Sequence, residues 1–72
     1  MKITYDAEVD AMSITFSETT VTTRDLGDGI AAEFDADGKL AGLEILDAGK
    51  RLGGRDPLRQ VILEGVGLKT AA

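Results

Sequence analysis

The chain has 72 residues, of which 43% are apolar and 29% charged, and this composition is typical of a single small globular domain over residues 1–72. It contains no cysteine and no histidine, which excludes disulfides and thiolate metal sites and removes the commonest general base. The longest run of large apolar residues, Val61-Ile62-Leu63, is far too short to span a membrane, and the first residues lack the apolar core of a signal peptide. We therefore expect a cytoplasmic protein with no membrane partner.

Charge is spread unevenly along the chain, whose net charge at pH 7 is −5. Residues 1–36 hold eight acidic residues against two basic ones, whereas residues 37–72 hold five acidic residues against six basic ones. An acidic protein repels a phosphate backbone, which argues against nucleic acid as a partner. The one basic stretch, residues 50–59, has four basic residues and no aromatic residue, and we interpret it as a solvated connection.

Residues 2–46 show the period-two alternation of half-buried strands. The alternating positions are Ile3 and Tyr5, then Met12, Ile14 and Phe16, then Val21 and Thr23, then Ile30, Ala32 and Phe34, and finally Ala41, Leu43 and Ile45. The connections are too short for helical crossovers, and Asp37-Gly38 is typical of a hairpin turn. The pattern predicts a five-stranded antiparallel meander, with Thr22, Arg24, Glu33 and Glu44 on the solvated face.

In the last third of the chain, the spacing of apolar residues changes from the period of a strand to that of a helix. After a loop over residues 47–55, Asp56-Pro57 is typical of a helix start, and apolar residues follow at helical spacing. These residues are Leu58, Val61, Ile62 and Val66. The prediction is a short helix over about residues 57–65, with a sixth strand over Gln60–Glu64 as the alternative. The predicted fold class is therefore α+β, mainly β.

One short helix cannot cover the apolar face of such a sheet. Five strands about 4.8 Å apart span roughly 24 Å, whereas a helix about 10 Å across covers about two strands. A second copy of the chain is the commonest cover for the remainder, so we expect a homodimer. The expected interface residues are Phe16, Leu63, Arg55 and Arg59. Pairing by sheet faces and pairing by sheet edges both remain open.

Several segments resemble a small prokaryotic family known as domain of unknown function 2283. The resemblance covers about residues 2–52. It rests on Tyr5-Asp6-x-Glu8-x-Asp10-Ala11, Asp28-Gly29-Ile30, Phe34-Asp35-x-Asp37-Gly38 and Gly42-x-Glu44-Ile45-Leu46-Asp47-Ala48. It implies a small mainly-β fold and no established activity. It also suggests the role of an antitoxin-type partner of a small toxin.

The acidic loop is the strongest candidate for a ligand site. Asp6, Glu8 and Asp10 alternate, and three such carboxylates can converge on a hard divalent cation. An EF-hand loop would need a glycine and a glutamate where this chain has Ala11 and Ser17, so that motif fails. We interpret these residues as turn and strand-end residues that hydrogen-bond nearby amides.

No residue is predicted to be catalytic and no cofactor is predicted, because no recognisable catalytic or phosphate-binding motif is present. The leading functional hypothesis is a non-enzymatic protein-interaction module that dimerises through its apolar sheet face. The alternative is an acidic divalent-metal-binding module that uses the loop of Asp6, Glu8 and Asp10.

Overall fold

A computed structural model describes residues 1–65 of the chain. Its elements are β1 (Lys2–Asp6), β2 (Ala11–Thr15), β3 (Thr22–Gly27), β4 (Ile30–Phe34), β5 (Leu40–Leu46), α1 (Ala48–Arg51) and a 3-10 turn over Asp56–Arg59. The strands form a single antiparallel sheet in the order β1-β2-β5-β4-β3. The predicted mainly-β fold class is confirmed. Within the described residues, no helix has the length and apolar character needed to cross a bilayer.

The strand order differs from the predicted meander at one point. β1 and β2 form a hairpin and β3, β4 and β5 form a meander, but β2 pairs with β5 instead of β3. This pairing places Ile14 opposite Leu43 and Met12 opposite Ile45. The apolar strands β2 and β5 therefore lie inside the sheet, while the polar β3 takes an edge, where it needs fewer apolar neighbours.

The register divides the sheet into two faces. Ile3, Ile14, Leu43 and Ala32 are aligned across four strands, and the next such row contains Tyr5, Met12, Ile45 and Ile30. Together with Phe34, these residues form what we call the apolar face. On the opposite side, the polar face carries Thr4, Ser13, Glu44 and Ala31 in one row and Thr15, Gly42 and Glu33 in the next.

The hairpin between β4 and β5 is built by one aspartate and one glycine. Asp35 Oδ1 accepts hydrogen bonds from the backbone N–H groups of Asp37 and Lys39, both at 2.9 Å. Gly38 has φ 81°, a left-handed conformation that glycine adopts without steric cost. The predicted turn at Asp37-Gly38 is confirmed.

The prediction of which β3 residues lie on each face of the sheet is wrong by one residue. Arg24 pairs with Ala32 and Thr22 pairs with Phe34, so both lie on the apolar face, while Thr23 lies opposite Glu33 on the polar face. The Arg24 guanidinium carbon is 5.3 Å from the centre of the Phe34 ring. A long arginine side chain can cover an aromatic ring and still keep its charge in water, and the threonine-rich sequence gives only weak alternation to oppose this register.

The predictions for residues 47–65 are also corrected. The predicted loop over residues 47–55 contains α1, and the predicted helix over residues 57–65 is only the 3-10 turn. Its N-cap position is Arg55 instead of Asp56, and Gln60 ends it with an extended backbone (φ −148°, ψ 132°). The β-branched residues Val61 and Ile62 lose side-chain freedom in a helix, which explains the early end.

The alternative sixth strand over Gln60–Glu64 is likewise not formed in the described part of the chain. Leu63 therefore lies on a segment without regular secondary structure and not on a helix. Val66, which was predicted to lie on the apolar helix face, falls outside the described residues.

We expect Arg24→Ala to lower the free energy of unfolding by about 0.5–1 kcal/mol, because Phe34 loses the cation and the aliphatic chain over its ring. Thr23→Ala is the matched control, since its side chain points to the polar face and it suffers a similar loss of strand propensity. Urea denaturation followed by circular dichroism measures both variants. Equal effects of the two substitutions would contradict the placement of Arg24 over Phe34.

Candidate interaction surface and the Asp10 clasp

Asp10 joins the turn between β1 and β2 to helix α1. Its backbone is left-handed, with φ 54°, a conformation that aspartate tolerates better than most residues. Asp10 Oδ1 accepts hydrogen bonds from the Tyr5 hydroxyl at 2.5 Å and from the Gly49 N–H at 2.8 Å, and Oδ2 accepts a longer one from the Lys50 N–H at 3.4 Å. The Asp10 carbonyl accepts the Ala48 N–H at 2.8 Å. We call this group of contacts the Asp10 clasp.

The clasp replaces a conventional helix cap. The first N–H groups of a helix have no partner within the helix, and the N-cap side chain normally accepts one of them. The N-cap residue of α1, Asp47, makes no such bond. Asp10, 37 positions earlier in the chain, therefore satisfies the first amides of α1 and fixes the helix against the end of the sheet.

Position 49 requires a glycine because the Asp10 carboxylate lies too close to its backbone for a side chain to fit. A Cβ atom at this position would lie 2.9 Å from Asp10 Oδ1 and 3.2 Å from Arg55 Cγ. A side chain on residue 49 would therefore push the Asp10 carboxylate away from the helix.

The hydrogen bonds of the clasp shift two pKa values in opposite directions. The Tyr5 hydroxyl, followed by the Gly49 amide, lowers the pKa of Asp10 below its usual 3.8 by stabilising the carboxylate. The hydrogen bond to the Asp10 carboxylate raises the pKa of Tyr5 above its usual 10.0, because it stabilises the protonated hydroxyl. Both shifts favour the same state, a neutral tyrosine donating to an ionised aspartate.

The segment after α1 folds back over the apolar face, and we call residues 52–61 the lid. Its residues Leu52, Pro57, Leu58 and Val61 face Ile3, Tyr5, Met12 and Ile14 across an apolar groove of about 450 Å³. Arg55 holds the lid from the side: its Nη2 donates to the Ala7 carbonyl at 3.2 Å, and its guanidinium carbon lies 5.8 Å from the centre of the Tyr5 ring.

The lid covers β1 and β2 but leaves most of the apolar face open. None of the groove residues comes from β3, β4 or β5. Among residues 1–65, the only buried apolar residues are three alanines, Ala32, Ala41 and Ala48. Every large apolar side chain in this part of the protein keeps some contact with water, which is unusual for a finished hydrophobic core.

The predicted interface residues do not form a single cluster. Phe16 follows the end of β2 and is 39% exposed, whereas Arg55 contacts Ala7 near the opposite end of that strand. Leu63 lies beyond the lid and is 60% exposed. Arg59 is exposed, and its Nε lies 3.2 Å from Asp56 Oδ1. Phe16 and Leu63 are thus exposed apolar positions, while Arg55 is part of the lid's attachment.

The acidic loop does not assemble as a metal cluster. Asp6 Oδ1 accepts the Glu8 N–H at 3.0 Å, which is a local turn, and the Asp10 carboxylate belongs to the clasp. Within the described residues, no group of three or more carboxylates is arranged to hold a metal ion. The interpretation of Asp6 and Asp10 as turn and strand-end residues agrees with these contacts.

Sequence reasoning missed the roles of Tyr5, Gly49 and Arg24. A tyrosine on an apolar face needs a partner for its hydroxyl, so Tyr5 carried a usable signal, and Asp10 across the turn was within reach. Gly49 and Arg24 carried no comparable signal, because their contacts depend on the path of the lid and on the register of β3.

The fold and this surface define a small single-sheet protein whose apolar face exceeds its lid. The chain matches, over residues 2–48, the family described as "Protein of unknown function (DUF2283)", and it belongs to that family. The matched region holds all five strands and Asp10, and it ends before the lid. The resemblance seen in the sequence is confirmed. No curated protein and no solved structure matches the chain.

We expect Asp10→Ala to lower the urea midpoint and to speed hydrogen exchange at the amides of residues 48–50, because these amides and Tyr5 lose their acceptor. Asp10→Asn should have a smaller effect, since its amide oxygen still accepts and asparagine tolerates the left-handed backbone. Asp28→Ala is the matched control, because Asp28 has the same φ of 54°. An Asp28→Ala effect as large as that of Asp10→Ala would show that backbone strain, and not the clasp, is responsible.

The pKa shifts predict how the clasp depends on pH. The lowered pKa of Asp10 means that its contribution to stability is present above the unfolded value near 3.8 and is lost as pH falls through the folded pKa. The raised pKa of Tyr5 means that its contribution is present below 10.0 and is lost as pH rises through the folded pKa.

The stability difference between wild type and Asp10→Asn should therefore stay constant near neutral pH and shrink in acid below the unfolded value. The difference between wild type and Tyr5→Phe should shrink in alkali. Urea denaturation at a series of pH values measures both differences. If the difference in unfolding free energy between wild type and Asp10→Asn stayed constant down to the pH of acid unfolding, Asp10 could not be ionised in the clasp.

Proposed function

We propose that this protein is a non-enzymatic protein-interaction module that assembles as a homodimer through the uncovered part of its apolar face. The observation that carries the proposal is the burial pattern: in residues 1–65, only three alanines among the apolar residues are buried. Covering exposed apolar surface with a partner lowers the free energy by roughly 25 cal/mol per Å² of apolar area removed from water.

The size of the surface indicates which residues take part. Three uncovered strands, each about 4.8 Å from the next and on the order of 17 Å long, offer roughly 250 Å² in projection. A standard interface buries about 800 Å² per partner. The sheet alone is therefore too small, and exposed apolar side chains beside it have to contribute.

Exposed apolar side chains are present in two other parts of the described chain. Phe16 extends the apolar side of β2. At the end of the lid, Val61 and the following Ile62 and Leu63 have exposed fractions of 58%, 64% and 60%. Three consecutive large apolar residues at this exposure are unfavourable in an isolated monomer. We therefore include Phe16 and Leu63, the apolar residues predicted for the interface, in the proposed contact.

A second copy is the simplest cover for this surface. Two sheets packed face to face bury both apolar faces in a layer about 10 Å thick, and a two-fold axis lets one surface serve both partners. A small toxin-like protein would cover the same face in its place. It would then copurify from the native host in stoichiometric amount with a chain that is monomeric by itself.

The divalent-metal alternative has less support. The Asp10 carboxylate already accepts three hydrogen bonds, and Asp6 Oδ1 accepts one from Glu8. A cation would have to replace these bonds, which would release α1 from the sheet. The non-enzymatic part of the proposal rests on the sequence, which contains neither histidine nor cysteine.

We expect Phe16→Lys to halve the mass of the native assembly, because it places a charge inside the proposed interface. Leu46→Lys is the matched control: Leu46 is 55% exposed but lies on the polar face, so the same charge should leave the mass unchanged. Sedimentation velocity at protein concentrations up to about 100 µM measures both variants. A wild type that is a folded monomer at this concentration, with no stoichiometric partner from its host, would refute the proposal.

A further inference from the structure

We propose that the outer edge of β1 is a second self-association site, on which β1 of another copy adds as an antiparallel strand. This contact uses a sheet edge, so it is separate from the face contact proposed above and does not rest on it.

β1 presents an open edge. It is the first strand in the sheet order and pairs only with β2. Within residues 1–65, no further backbone hydrogen bond involves Lys2–Asp6. The outward N–H and C=O groups of such a strand are a template for pairing with another chain. The lid crosses the apolar face of β1 and β2, and Arg55 reaches Ala7, beyond the end of the strand.

The sequence of β1 is complementary to itself in one antiparallel register. With a two-fold axis through Thr4, Lys2 of each copy lies opposite Asp6 of the other, and Ile3 lies opposite Tyr5. Both ends of the joint then carry an opposite-charge pair on the polar face. Both inner positions carry a pair of β-branched and aromatic side chains on the apolar face. Cross-strand pairs of these two kinds stabilise antiparallel sheets.

Other registers lose this match. A shift of one residue would place the apolar face of one copy beside the polar face of the other. A shift that centres the axis on Tyr5 or Ile3 keeps the faces aligned but removes both Lys2–Asp6 pairs. The favoured register is thus selected by charge and by hydrophobic pattern together.

The opposite edge of the sheet is less suitable. β3 has an irregular register between Asp25 and Gly27, and such bulges protect edges from pairing. An antiparallel contact centred on Arg24 would also place two arginines opposite each other. The two edges therefore differ, and β1 is the one that accepts another copy.

The edge contact is compatible with the face contact. A two-fold axis perpendicular to the sheet keeps the apolar faces of both copies on one side, so pairing of β1 makes a continuous ten-stranded sheet that still exposes its apolar face. If both contacts form with perpendicular axes, the assembly is a tetramer with D2 symmetry.

Charge exchange tests the edge contact in a Phe16→Lys background, where the face contact is removed. Lys2→Asp and Asp6→Lys each place like charges opposite each other at both ends of the joint. Each should raise the dissociation constant of the edge dimer about tenfold. The double variant Lys2→Asp/Asp6→Lys exchanges the two charges and should restore the original constant.

A control is needed because both residues also make contacts within the chain. Lys2 Nζ lies 3.3 Å from Glu18 Oε1, and Asp6 caps Glu8. Glu18→Gln removes the Lys2 ion pair without touching the edge, so it should leave the dissociation constant unchanged. Recovery in the double variant separates the cross-strand pairing from the local role of Asp6, because a lost cap would not be restored by changing Lys2.

Sedimentation velocity on these variants distinguishes the two contacts. A Phe16→Lys protein that dimerises, loses affinity in each single charge variant and recovers in the double variant supports the edge contact. A monomeric Phe16→Lys protein at about 100 µM, or single variants that the double variant does not rescue, overturns it. If Phe16→Lys halves the mass of the wild-type assembly and the charge variants do not change it, only the face contact exists and the edge contact is refuted. If the charge variants lower the mass and Phe16→Lys does not, only the edge contact exists and the face contact is refuted.

Discussion

The Asp10 carboxylate connects β1 to helix α1, two elements that lie far apart in the sequence. It receives the Tyr5 hydroxyl from β1 and the Gly49 and Lys50 amides from α1. Charge-assisted hydrogen bonds are stronger than neutral ones, and here they act on a helix of only four residues that could not persist by itself. Since the lid follows directly from α1, this side chain contributes to the position of the lid over β1 and β2, together with Arg55, which donates to the Ala7 carbonyl.

The position of the lid in turn determines which part of the apolar face stays uncovered. Because α1 is fixed at the end of the sheet beside β2, the lid returns over β1 and β2 and leaves β3, β4 and β5 open. Arg24 covers only Phe34 at that side. The family match ends at residue 48, so it includes the five strands, Tyr5 and Asp10, whereas the Gly49 and Lys50 amides of the clasp, the lid and the exposed residues 62–63 lie outside it. In this chain, the extent of the open surface is therefore determined partly outside the matched region.

Much of the sheet could be predicted because its signals are local. Alternation located the five strands, although it assigned the residues of β3 to the wrong faces. Asp37-Gly38 identified a hairpin, and the width of the sheet compared with one helix indicated that a lid would be too small. The partner of β2 could not be predicted, since pairing across the sheet is a long-range choice between strands of similar character. The register of β3 failed because threonine fits either face and because a long arginine can lie over an aromatic ring.

The C-terminal third shows how tertiary contacts override local signals. Asp56-Pro57 and the apolar spacing after it favoured a helix, yet the chain makes one 3-10 turn, which ends at the extended backbone of Gln60, and residues 61–64 have no regular secondary structure. Apolar residues at i, i+3 and i+4 stabilise a helix only if the helix face that they form packs against another apolar surface. Here Leu58 and Val61 meet the narrow groove over β1 and β2, while Ile62 stays in water. Val61 and Ile62 are β-branched and lose side-chain freedom in a helix, so they disfavour its continuation past Arg59. The β-branched side chains that weaken the predicted helix, Val61 and Ile62, are thus also among the large apolar side chains that stay exposed to water.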